Sequence, residues 1–328
     1  MNQNINLASS SSPHIRSGET TQRIMIDVAV ALVPALIAAV LVFGLRALLV
    51  TLISAVSCVA FEWGYRRLLH KHCTVGDMSA VVTGILLAFC LPATIPYWMV
   101  VCGAFFAIVI VKQLFGGLGK NFLNPALAGR AFLFCWPVEM VKFFSPHTPL
   151  SLFGSNADIV SAATPLHHMV MPTLPSNSIL DMFIGNIGGS IGEVSALAIL
   201  IGGAYLIARK VISVRIPLSF VGTVATLTLI FSRGDADSFQ WMLYSVLGGG
   251  LMLGAFFMAT DYATSPVTPR GQIVYGIGCG ALTVFIRYFG LYPEGVSYAI
   301  LIMNACAILF DRFCAPKRFG KAKDGAGV

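Results

Sequence analysis

The sequence predicts an all-α polytopic membrane protein of about ten transmembrane helices, arranged as two five-helix, inverted repeats. Three observations lead there. Of 328 residues, 57% are hydrophobic and 11% are charged, with a mean hydropathy of +0.82; an ordinary soluble domain is about 25% charged. The apolar residues fall in long runs, where crossing hydrocarbon takes about 20 residues. The basic residues gather in short clusters between those runs. This composition excludes a disordered chain and argues against a soluble enzyme. The net charge of +7 and pI near 9.1 are read as membrane orientation, not as nucleic-acid binding.

In order, the chain opens on a polar cytoplasmic segment, 1–23, without the short apolar core and cleavage site of a signal peptide. Five apolar runs make up the first half, 24–144: Ile24–Gly44, Leu48–Tyr65, Met78–Leu91, Tyr97–Phe115 and Pro125–Phe144. The third is short and stops at Leu91-Pro92, as a tilted or partial span would. A loop of mainly Ser, Thr, Pro and Asn, 145–190, holds no Lys or Arg. Connections this long tend to be functional or disordered. The second half, 191–313, has Ile191–Ala208, Ile216–Phe231, Gln240–Ala259, Gln272–Phe289 and Val296–Phe313, followed by a basic tail, 314–328.

If all ten runs cross and the N-terminus is cytoplasmic, sixteen of the twenty-one Lys and Arg residues fall inside. Outside are Arg46, Lys142, Arg233 and Arg287, and Arg130 is ambiguous. Both termini are then cytoplasmic and loop 145–190 is external. Five spans per half is an odd number, so a duplicated half would be inverted. Two Gly- and Pro-rich breaks, Gly116–Gly129 and Asp261–Gly271, carry an echo: Asn124-Pro125-Ala126-Leu127 and Ser265-Pro266-Val267-Thr268. Broken backbone at membrane depth is tolerated only where protein or a cavity covers it; two ordinary cytoplasmic turns are the alternative.

Read without context, Asp158-Ile-Val-Ser-Ala-Ala-Thr-Pro-Leu166 is a turn before a proline. It resembles, however, the D-x-x-[ST]-G-A-T pattern at which a flavin transferase links FMN through its phosphate to a threonine hydroxyl. Asp158, Ser161, Ala163 and Thr164 match. Ala162 replaces the usual Gly, and Leu166 stands where many acceptors have Ser or Thr. Five further segments, 11–36, 83–98, 119–134, 184–203 and 258–272, are similar in order and spacing to the RnfD component of the Rnf complex, an ion-translocating ferredoxin:NAD oxidoreductase, and to its NqrB counterpart in the sodium-pumping NADH:quinone reductase.

The resemblance implies an electron-carrier subunit of the prokaryotic cell membrane, without a complete active site of its own. It implies covalent FMN on Thr164 at the external face, coupling of electron transfer to Na+ or H+ transport, partnership with the other Rnf subunits, and a flavin transferase during maturation. The charge count independently places Thr164 outside. A tether there prevents loss of an exported flavin, and the ring remains free to be reduced and reoxidised. The related sodium-pump component also carries non-covalent riboflavin. Asn121 and Asn124 are candidates to hydrogen-bond its edge, against the simpler role of satisfying the broken helix's own backbone.

Gly185-Asn186-Ile187-Gly188-Gly189-Ser190 precedes the sixth run. The Asn186, Gly188 and Gly189 amides at a helix start would suit the flavin phosphate; a plain cap of Gly and Ser is the alternative. Among ionisable residues, Asp27, Glu62, Glu193 and Asp261 are candidates for an ion path, Lys112 and Lys142 can snorkel, and no run has a charge at its centre. His167-His168 could touch flavin, although an exposed polar pair is the simpler reading. The eight cysteines form no C-x-x-C pair, and most read as small hydrophobes within apolar runs. No metal ligands are assigned, although cysteines on distant helices could still meet at a shared cluster; there is no Walker A loop, zinc-ligand spacing or strand–GxGxxG–helix context, so ATP and NAD sites are not expected. The competing readings are a solute or ion channel of inverted repeats and a scaffold for redox subunits. A channel needs no flavin acceptor, and a scaffold would tolerate loss of Thr164.

Overall fold

The computed structural model describes residues 20–148, 150–152, 164, 166, 169, 174–175, 177–233, 237–290 and 294–315. Among these, the regular structure is helical, and extended pairing is limited to one antiparallel bridge between Pro92 and Ser190.

Helices α1 (Thr21–Phe43) and α2 (Leu45–Leu68) are separated by Gly44 alone, whose φ of 73° a side chain would strain. A short 3₁₀ turn, Val75–Asp77, leads into α3 (Ser79–Phe89), and Asp77 accepts the Ser79 N–H at 2.8 Å. Pro92 and Pro96 then keep the chain from resuming a helix until α4 (Tyr97–Phe105), which continues as a π-helix over Phe106–Gln113. Helix α5 (Pro125–Leu133) has Pro at its first position, where its missing N–H costs nothing. The short α6 (Pro137–Met140) and α7 (Ile179–Ile184) follow.

The second half has α8 (Ala196–Ala208), α9 (Arg215–Ile230), α10 (Ser238–Leu247), α11 (Leu251–Leu253) continuing as a π-helix over Gly254–Met258, α12 (Pro269–Phe289), α13 (Val296–Ala305) and α14 (Ala307–Phe313). The closest packing pairs α9 with α12, α2 with α3, and α1 with α8 across the two halves.

Each expected run contains a helix, but not all are long enough to span. Helices α1, α2 and α12 have the length and apolarity to cross a membrane alone. The α10–α11 and α13–α14 pairs, bent by 61° and 53°, raise this to at most five. Helices α3, α4 with its π-continuation, α8 and α9 are apolar but shorter. The fifth run departs most from expectation: α5 stops at Leu133 and Pro137 starts a separate turn.

Helix order also corrects the expected echo. Asn124-Pro125 opens α5, in the fifth run, whereas Ser265-Pro266 precedes α12, in the ninth, so the two are not equivalent when counted from the start of each half. The segment that shares the position of Pro266-Val267-Thr268-Pro269 is Pro92-Ala93-Thr94-Ile95-Pro96, before α4.

Long-range hydrogen bonds sort the connections into two groups at opposite ends of the bundle. Arg46 joins the α1–α2 turn to Ala93, Thr94 and Ile95; the Ile191 and Gly192 N–H groups donate to Leu91 and Phe89. At the other end Arg209 pairs with Asp27 at 3.0 Å, the Asn124 amide donates to Met258, and Asp311 accepts from Val267 and Thr268. The first group includes Lys/Arg-poor connections, and the second includes the Lys/Arg-rich one that carries Arg209.

Candidate functional site

At the Lys/Arg-poor end, Thr164 is buried, 9% exposed. Two residues on, Leu166 packs in a small apolar cluster with Met169, Met182, Ile187, Trp241 and Tyr244. The Trp241 N–H donates to the Tyr288 hydroxyl at 3.0 Å, and the Tyr244 hydroxyl donates to the Asn177 carbonyl at 2.8 Å. Leu166 thus has a packing role that a Ser or Thr would not fill. The cluster sits against the α10–α11 break. A Cβ at Gly249, φ +69°, would run into Leu166 and the Arg287 guanidinium. Arg287 is buried and donates to the Ser245, Gly248 and Gly249 carbonyls, yet its Nε–H has no partner. Asp158, Ser161, Ala163, His167 and His168 lie outside the described residues.

The glycine-rich segment 185–190 lies beside this cluster through Ile187, but it does not open a helix. Helix α8 starts at Ala196, capped by the Ser195 hydroxyl, which accepts the Ala198 N–H at 3.2 Å. Ile191 and Gly192 instead cap the end of α3. The Asn186 N–H donates to the Asp181 carbonyl at 2.8 Å, Gly188 passes so close to the Phe144 carbonyl that a Cβ would clash, and a Cβ on Gly189 would touch Glu193. Their expected place at a helix start is therefore corrected: helix geometry begins after Ser195, where a hydroxyl is available to cap it.

At the opposite end, α1, α3, α5 and the segment after the π-helix at 254–258 enclose a small cleft of about 80 Å³, which adjoins a wider one of about 560 Å³. Ile24, Met25, Leu118, Asn121, Asp261 and Tyr262 line both. Asn124 lies on the wall of the inner cleft, and both ends of its amide make hydrogen bonds. Its Oδ1 accepts the Ala126 and Leu127 N–H groups and its Nδ2 donates to Met258. It is an N-cap that also ties the two halves together, as the backbone role expects. Asn121 differs: Nδ2 donates to Leu123 at 3.1 Å, whereas its buried Oδ1 has no partner.

Lys112 also lines the inner cleft, and it does not snorkel. It is 2% exposed, pairs with the fully buried Glu62 at 2.7 Å, and donates to the Ser79 hydroxyl at 2.6 Å. Thr74 donates to the other Glu62 oxygen at 2.6 Å. Asp27 is held by Arg209 and Tyr205, and Asp261 accepts from Ala263 and Thr264 within its own turn. Glu193 is in the opposite group, beside Gly189 and Gly250. Lys142 pairs with Glu139 at the surface. Arg130, ambiguous in the sequence, is buried with Glu294 and Ser297 near the start of α13. All eight cysteines are unpaired.

Residues 8–320 match the family described as NQR2, RnfD, RnfE. The chain belongs to this family. Its relatives include the D component of the Na(+)-translocating ferredoxin:NAD(+) oxidoreductase complex of Acetobacterium woodii, 50% identical over 323 residues and covering 97% of each chain. The D component of the proton-translocating ferredoxin:NAD(+) oxidoreductase complex of Clostridium ljungdahlii is 43% identical, covering 95% of each. That of the ion-translocating oxidoreductase complex of Stutzerimonas stutzeri is 37% identical, covering 93% of this chain and 94% of the relative. The RnfD-type resemblance read from the motifs is thus a relationship over nearly the whole sequence. Two features of this family member escaped the sequence. Ser79 and Thr74 complete the Lys112–Glu62 pair, and Arg287 braces the α10–α11 break. A lysine inside Phe106-Ala-Ile-Val-Ile-Val-Lys-Gln was the one available signal.

Proposed function

We propose that the protein is the RnfD component of an ion-translocating ferredoxin:NAD oxidoreductase of the cell membrane, an electron carrier with FMN esterified through its phosphate to Thr164. The observation that carries this reading is a flavin-acceptor pattern, Asp158 to Thr164, in a chain collinear with relatives named as the D component of such complexes. In this reading the ten runs form two five-pass halves, the termini are cytoplasmic, and the Thr164 end is external. The sorting of connections between two ends supports that topology.

The residues present fit the group. A threonine hydroxyl is the ester acceptor, Leu166 fixes the tether's position, and the unpartnered Arg287 Nε–H is a buried donor beside the segment to which a phosphodiester would be attached. Asp158, Ser161 and Ala163 belong to the acceptor motif, while Asn186, Gly188 and Gly189 flank Ile187, which packs in the cluster. Bound FMN supplies one- and two-electron redox chemistry. The chain's own residues hold it in place and shield its attachment from water. Thr164 performs no acid–base step.

A second flavin, riboflavin, is placed at the other end, where the orphaned Asn121 Oδ1 is an acceptor for a ring N–H. The other subunits of the complex, a flavin transferase and membrane lipids are the partners. The transported ion is Na+ or H+, since relatives of comparable similarity are named for each. Denatured protein produced with the transferase should fluoresce as flavin in a gel, and Thr164→Ala should abolish the band. Fluorescence that persists in the variant would refute the attachment. A bare polypeptide mass in cells holding the transferase would favour a channel instead.

A further inference from the structure

The end of α2 presents two adjoining hollows of opposite character. One has Trp63, Gly64, Arg67, Leu68, His70 and Lys71 around a hollow of about 760 Å³. The other, about 420 Å³, runs along α2 below it between Ala55, Val56, Val59 and Ala60 on one side and Val75 and Val81 on the other. Trp63 lines both. It is 53% exposed, at the end of a helix long and apolar enough to cross a membrane; tryptophan favours the level of the lipid headgroups.

The basic residues are held at this level. Arg67 lies over the Trp63 ring, 5.8 Å from its centre, and Lys71 lies over Tyr65 at 5.4 Å. Lys71 reaches that position because His70 adopts φ 51°, which turns the chain back so that the Lys71 N–H donates to the Arg66 carbonyl at 2.9 Å. A non-glycine residue there is uncommon and signals a constrained turn. Among the described residues no carboxylate pairs with Arg67 or Lys71. The upper hollow therefore offers two uncompensated cations, and the lower one offers only apolar side chains.

We infer that this face of α2 binds one anionic diacyl phospholipid, its phosphate between Arg67 and Lys71 and an acyl chain along Val56, Val59 and Ala60. A soluble anion would leave the apolar groove unexplained, and a zwitterionic lipid would set its own cation against the two basic side chains. The inference depends on α2 crossing the membrane and not on the flavin reading.

Native mass spectrometry of the full chain in detergent, titrated with phosphatidylglycerol or with phosphatidylcholine of the same acyl chains, tests it. Phosphatidylglycerol should give one saturable adduct at concentrations where phosphatidylcholine gives little. Each basic residue near a membrane surface contributes to anionic-lipid binding, so Arg67→Gln with Lys71→Gln should weaken the adduct about tenfold or more, and Lys210→Gln, elsewhere on the same end, should not. If the double variant does not fold, Lys71→Gln alone should weaken binding severalfold. The charge-preserving Arg67→Lys should retain it. Equal binding of both lipids, an unchanged double variant, or equal displacement by glycerol phosphate would overturn the proposal. So would an adduct that vanishes in the assembled complex, which would give this face to a neighbouring protein of the complex.

Discussion

The two ends of the bundle stabilise their broken helices with opposite charges. At the Thr164 end, arginines cap carbonyls: Arg46 serves Ala93, Thr94 and Ile95, and Arg287 serves Ser245, Gly248 and Gly249. At the other end, carboxylates accept amides: Asp311 from Val267 and Thr268, Asp261 from Ala263, and Asp77 from Ser79. Cations suit exposed helix C-termini and anions suit N-termini. Two of the four basic residues that depart from an inside bias, Arg46 and Arg287, are buried structural donors, so they are not loop charges that set orientation.

The largest effect on this contrast should come from the one buried Lys–carboxylate pair among the described residues. Lys112→Met leaves Glu62 buried and unpaired, at a cost of about 3–5 kcal/mol. Thermal unfolding followed by size-exclusion chromatography should show a large loss, and adding Glu62→Gln should recover most of it. If the single and double variants are equally unstable, the pair is not the unit described. At the opposite end, Arg287→Met strands three carbonyls and should cost about 2–3 kcal/mol in the same assay. Arg287→Lys should recover only part, because a single ammonium does not reproduce the guanidinium fork.

Asn124→Ala removes an N-cap worth about 1 kcal/mol and frees the Met258 carbonyl; Asn124→Asp should keep the cap and lose only the link to Met258. The smallest effect concerns α7. The Ser178 hydroxyl, donating to Asp181, holds that carboxyl below the usual carboxylate range. A lowered value means the stabilisation is present above the unfolded range and is lost as pH falls through the folded one. Amide exchange over 181–184 should therefore rise in acid and not near neutrality. Asp181→Asn should remove that dependence.

The apolar runs made the helices legible, and proline made several of their ends legible too, as at Pro92, Pro125 and Pro269. What the sequence did not reveal depends on partners far along the chain. Lys112 resembles a snorkelling residue until Glu62, 50 positions earlier, is packed against it. The 185–190 segment has the composition of a helix start, yet the helix waits for Ser195 because the intervening amides are used to close α3. Asn124 was legible as a backbone cap, since Asn-Pro is a common helix opening. Its reach to Met258 was not.

Peptide mass mapping of protein produced with and without a flavin transferase tests the central claim most directly. The expected result is a peptide containing Thr164 that gains the mass of FMN less water only when the transferase is present. An unmodified Thr164 peptide from complex that still transfers electrons would contradict it.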